Sequence, residues 1–141
     1  MKIEPDSVIQ KMNDIRIDME SHGFYGHAGD CGNFAEALQR VLGGNICCSY
    51  ENEGYAGESL PAHCVLKVRD KFIDANGEHP NGMEYLRQWG FNEAFPEDEE
   101  FITIECGSGY ADEIYFSGIR DVERVDRLEK IIREHLGVSD G

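Results

Sequence analysis

Hydrophobic positions change period along this chain, and each change marks an element. Behind Pro5 and Asp6, the residues Val8, Met12, Ile15 and Met19 recur at helical spacing and predict a first amphipathic helix. Phe34, Ala35, Leu38, Val41 and Leu42 repeat that spacing from Cys31 onward, and Gly43-Gly44 ends it with residues suited to a left-handed cap. Between these helices lies a Gly-rich link, His22 to Asp30, whose Phe24 and Tyr25 suit the wall of a cleft or a cover for the core. The period then shortens to two: Asn45 to Tyr50, Ala62 to Val68 and Lys71 to Ala75 are predicted strands. The last two form a hairpin with Arg69-Asp70 as its turn, and Glu51 to Pro61 is an acidic loop leading into His63.

The second half carries the same alternation more weakly. Met83, Leu86 and Trp89 suit a short helix ending at Gly90, and Trp89, Phe91 and Phe95 are expected to lie over the core ahead of the acidic run Glu97 to Glu100. Phe101 to Glu105 and Glu113 to Phe116 are predicted strands, joined through Gly107-Ser108-Gly109, which lacks the lysine of a phosphate loop. From Gly118, the residues Ile119, Val122, Val125, Leu128, Ile132 and Leu136 predict a long terminal helix that serves as scaffold or as a dimer seam. Glu123 with Arg127 and Glu129 with Arg133 are spaced by one turn on its outer side. No repeat or linker interrupts the chain. The pattern predicts an α+β fold of helices packed on an antiparallel sheet.

Composition narrows the partners. With 13 basic and 28 acidic residues the formal charge is -15, which disfavours nucleic acid and anionic membranes and suits a basic protein partner or simple solubility. No span is apolar enough for a membrane helix, and the start, Met1 to Pro5, lacks a leader-like run. Five cysteines, an odd number set mostly in core-like patterns, point to the reducing cytoplasm. Cys47 and Cys48 are neighbours on one strand and so face opposite sides of it. His22, His27, Cys31 and His63 supply nitrogen and sulfur, but their spacing matches no strong zinc pattern, so neither metal nor cofactor is expected.

Three residues offer chemistry together. Cys31 stands at a predicted helix N-terminus, where free backbone N–H groups and the helix dipole favour a thiolate and offer a donor to an oxyanion. Asp30 suits the N-cap, yet its charge beside Cys31 opposes ionisation, so a positive partner is required. His63 is the candidate. With Arg69-Asp70 as a two-residue turn, Asp74 falls opposite Val65, on the face of His63 and about 7 Å from it diagonally, within side-chain reach. The carboxylate then orients the imidazole and favours its charged form, which holds Cys31 as thiolate.

Cys31 heading a helix, His63 beginning a strand and Asp74 ending the next together resemble the papain-like cysteine peptidase superfamily in its broad sense. Asp30-Cys31 followed by Phe34 resembles the helix start of bacterial cell-wall endopeptidases and amidases. The Cys, His, Asp order with Asp74-Ala75-Asn76-Gly77 resembles transglutaminase-like proteins. The likeness spans Gly26 to Gly77. It implies a single papain-like domain over residues 1–141, with a Cys31-His63-Asp74 triad acting on a peptide, protein or other amide substrate by hydrolysis or acyl transfer. Such enzymes often complete the oxyanion hole with a Gln ahead of the cysteine. None stands between Ser21 and Asp30, which leaves His27 or Asn33 for that task and Tyr25 beside the cleft. The alternative is a non-catalytic acidic protein on the same fold, of viral or mobile-element origin, that blocks a basic or nucleic-acid-binding partner.

Overall fold

A computed structural model describes residues 3–26, 30–51, 61–90, 102–107 and 120–138. In chain order the elements are α1 (Pro5–Ser21), α2 (Cys31–Leu42), β1 (Asn45–Glu51), β2 (Pro61–Val68), β3 (Lys71–Asp74), β4 (Gly77–His79), α3 (Gly82–Gly90), β5 (Ile102–Gly107) and α4 (Val122–Leu136). The strands form one sheet in the order β4-β3-β2-β1-β5, every neighbouring pair antiparallel. The α+β architecture expected from the pattern is therefore what forms.

Alternation along the strands divides the sheet into two faces. Ile46, Cys48, Cys64, Leu66, Val68, Ile73 and Ala75 point toward α1, α2 and α4 and share one core with Val8, Met12, Ile15, Phe34, Leu38, Val125 and Leu128. Cys47 and Val65 point the other way, where Leu86 and the partly buried Tyr85 of α3 cover them. Cys47 and Cys48 thus do face opposite sides. Cys47 is joined by a disulfide to Cys106, its partner across the β1/β5 ladder, while Cys31, Cys48 and Cys64 are free. The five cysteines are accordingly not all thiols.

The β2/β3 hairpin has the register of a two-residue turn, with Leu66 opposite Ile73 and Val68 opposite Lys71, and Arg69 takes the left-handed φ of 56° that such a turn favours. Two close approaches lock the frame. A Cβ on Gly26 would lie 2.6 Å from the Cβ of Ala75, so the link before α2 sits directly against the end of β3. Similarly, a Cβ on Gly82 would overlap the Phe72 ring, which brings the start of α3 onto β3.

Some boundaries differ from the pattern. The last helix starts at Val122, because the Asp121 side chain accepts the Arg124 N–H and caps it; Val122 is exposed, and Ile131 takes an inward place instead. Of the residues that marked α3, Leu86 is buried and Met83 is exposed. Gly107 closes β5 rather than opening a loop. Glu129 and Arg133 pair at 2.9 Å as spaced, whereas Arg127 places its guanidinium over the Phe24 ring. The predicted strand Glu113 to Phe116, the acidic loop at 52–60, the run 91–101 with its phenylalanines, Ile119 and the Trp89 side chain lie outside the described residues. No helix among the described residues is long and apolar enough to cross a membrane.

Candidate active site

α2 begins at Cys31 because Asp30 leaves helical geometry there and Phe34 N–H already bonds back to the Asp30 carbonyl. The side chain of Asp30 does not cap the helix as expected. It accepts Nε and Nη2 of Arg124 at 2.8 and 2.7 Å, Nδ2 of Asn33 at 3.1 Å and the Tyr25 N–H at 3.1 Å. Burial alone would raise its carboxyl pKa; Arg124, Asn33 and the Tyr25 N–H outweigh that and lower it. The bidentate guanidinium neutralises the charge beside Cys31, which the chain sequence left opposed to the thiolate. The first turn carries no side-chain cap, and Cys31 is its first residue, at the positive end of the helix dipole.

The Cys31 sulfur hydrogen-bonds to the Cys64 thiol and to the His63 ring, and these contacts hold its pKa well below the ordinary thiol value against the opposing effect of burial. Cys64, fully buried and bonded to both Cys31 and Cys48, is pushed the opposite way. Of this coupled pair, Cys31 is the group that ionises, since it is the one beside the imidazole and at the helix end.

His63 is 1% exposed, and its Nε2 donates to Oδ2 of Asp74 at 2.8 Å, which leaves Nδ1 as the ring nitrogen for the thiol. Burial disfavours imidazolium, but the hydrogen bonds to Asp74 and Cys31 prevail and raise the His63 pKa. Asp74 is buried and saturated. Oδ2 also accepts the Tyr85 hydroxyl at 2.6 Å, and Oδ1 accepts His79 Nε2 at 2.7 Å and the Asn76 N–H at 2.8 Å. Burial pushes its carboxyl up, yet His63, Tyr85 and His79 together hold it well below the usual carboxylate range. His79 stacks on Tyr85 with ring centres 3.6 Å apart, and Tyr85 meets His63 edge-on at 5.6 Å.

The chain matches the family described as phage YunG-like protein over residues 8–129. It belongs to that family. Among curated proteins and among solved structures there is no match.

In this phage YunG-like protein, Cys31, His63 and Asp74 thus converge as their order and register implied. The three accessory candidates fare differently. Asn33 is buried and bridges Asp30 to the backbone of Asp121, accepting its N–H at 2.9 Å, so it ties α2 to the start of α4. Tyr25 serves through its backbone, exchanging hydrogen bonds with Asp30, while its side chain is half exposed. His27 lies outside the described residues. Of the other zinc candidates, His22 bonds to the Asp18 carbonyl at the exposed end of α1, and among the described residues no three His, Cys, Asp or Glu side chains gather around a metal position.

Four participants escaped the sequence pattern: Arg124, His79, Tyr85 and Cys64. Asn76-Gly77 is a hairpin signal that could have revealed β4, and with it His79 on the face of Phe72 and Asp74. Tyr85 and Arg124 reach the site through long-range packing, for which the chain offers no local mark.

Proposed function

We propose that this protein is a thiol-dependent hydrolase or acyl transferase that acts on an amide bond through Cys31, His63 and Asp74, on a papain-like core. The observation that carries the reading is the continuous chain of contacts from the Cys31 sulfur through the His63 ring to the buried Asp74 carboxylate, 2.8 Å from Nε2.

The chemistry follows from those contacts. The Cys31 thiolate adds to the carbonyl carbon, and the developing oxyanion is met by backbone N–H groups at the start of α2. Imidazolium at His63 gives its proton to the departing amine, and the C–N bond breaks to leave a thioester on Cys31. His63, now neutral, takes a proton from water or from a second amine, which attacks the thioester and restores the thiolate. Asp74 keeps the ring oriented and stabilises its positive charge throughout. Water gives a peptidase, amidase or deamidase, and an amine gives a transferase. No cofactor is needed.

A second reading draws on the formal charge of -15 and the phage name of the family: an acidic protein, whose site is no longer used, that occupies a basic partner. Iodoacetamide separates the two. At pH 6 the reading as an enzyme expects Cys31 to be alkylated about tenfold or more faster than Cys48 or Cys64, and His63→Ala to remove that preference. Slow labelling of Cys31, equal to that of the other free thiols, overturns it. Capture of a basic protein that persists in Cys31→Ser and weakens with salt would then favour the binder.

A further inference from the structure

The sheet face beneath α2 carries two more thiols beside the nucleophile. Cys48 and Cys64 are opposite one another in the β1/β2 ladder, both buried, with their sulfurs 2.9 Å apart. Cys31 packs against the same core and is hydrogen-bonded to Cys64, so Cys64 touches a sulfur on either side. Of the three, Cys31 alone has access to solvent. In acyl chemistry Cys64 supports the Cys31 thiolate but takes no part in the bonds that form and break.

We propose that Cys31 and Cys64 form a peroxide-responsive pair in which Cys31 is oxidised first and Cys64 resolves it as a disulfide. The Cys31 thiolate attacks one oxygen of hydrogen peroxide; the S–O bond forms, the O–O bond breaks, and hydroxide leaves and is protonated to water. The Cys64 sulfur then attacks the sulfenic sulfur. The S–S bond forms, the S–O bond breaks, and the hydroxyl departs with the Cys64 proton as a second water. Two thiols have given two electrons to one peroxide. Placement decides the order, because peroxide can reach the partly buried Cys31, while Cys64, fully buried, waits in contact behind it. The disulfide blocks the nucleophile and shields it from sulfinic acid until a thiol reductant reopens it.

The pairing rests on the reactive Cys31 of the preceding section, and the test distinguishes the two. The full chain is treated with hydrogen peroxide in the presence of dimedone, digested and analysed by mass spectrometry. The expected product is a linked Cys31–Cys64 peptide, with little dimedone adduct, reversed by dithiothreitol. Cys64→Ser should accumulate the Cys31 dimedone adduct severalfold and proceed to sulfinic acid, and Cys48→Ser should still form the link. Should Cys64→Ser not fold, the peptide map of the unmodified sequence decides alone. Cys31 carried to sulfinic acid beside free Cys64, a Cys48–Cys64 link with Cys31 free, or no reaction overturns the proposal. Selective alkylation of Cys31 alongside any of these outcomes leaves the acyl-transfer reading standing, whereas its absence removes that reading as well.

Discussion

Asp74 is the residue on which the site's electrostatics turn. It accepts four hydrogen bonds, from His63, Tyr85, His79 and the Asn76 N–H, and so stays ionised although buried. A carboxylate held by two further side chains cannot rotate away from the imidazole, so the His63 ring is fixed as well as charged. Asp74→Asn keeps the shape and removes the charge that supports imidazolium. Alkylation of Cys31 at pH 6 should slow by about tenfold as His63 loses the charge partner that raises its pKa, and denaturant unfolding should show a loss of about 3 kcal/mol. An alkylation rate unchanged in this variant would show that the thiolate owes nothing to the His63–Asp74 pair.

At the scale of elements, the site depends on how the start of α2 meets the start of α4. Arg124 of α4 forks onto Asp30, donates to the Gly23 carbonyl and lies 4.4 Å over the Phe24 ring, while Arg120 forks onto buried Glu36. These contacts hold the start of α2 against α4 and the link that precedes it. Arg124→Ala strands the Asp30 carboxylate next to the thiol. Because the Arg124 side chain is 36% exposed, the stability cost is set at about 2 kcal/mol rather than the larger value of a fully buried pair, read from the urea midpoint. Cys31 alkylation should fall as well, since an unpaired negative charge now opposes the thiolate; Arg124→Lys, which keeps the charge and loses the fork, should fall between the two. The sequence pattern located α2, the hairpin and the last helix to within a few residues, because each buries a regular stripe. It passed over β4, three residues long, which buries too little to leave a period.

Across the whole molecule, the paired groups give stability a definite pH dependence. Asp74 and Asp30 have lowered folded-state pKa values, so their contribution is complete above the ordinary carboxylate value of 3.8 and is lost as pH falls through the folded values. His63 is shifted up, so its contribution is complete below its ordinary value of 6.5 and is lost as pH rises through the folded value. Between about pH 4 and 6.5 both contributions are present. The stability difference between the unmodified chain and Asp74→Asn should therefore be greatest in that window and shrink below it, as measured by urea midpoints across pH. A difference that stays constant down to pH 2 would contradict the assignment of Asp74 as ionised in the folded state.

What the sequence determined by itself is local and periodic: which stripes are buried, where α2 begins, and the parity that puts His63 and Asp74 on one face of a hairpin. Those properties depend on neighbours a few residues away. Tertiary structure alone decided the partners that complete the site. Arg124 meets Asp30 across 94 positions, and Tyr85 meets Asp74 from a helix on the far face. The disulfide between Cys47 and Cys106 and the contact between Cys31 and Cys64 likewise depend on which strands become neighbours and how a helix is seated on them. Such pairings are set by the packing of whole elements against a shared core, which no short window of residues contains.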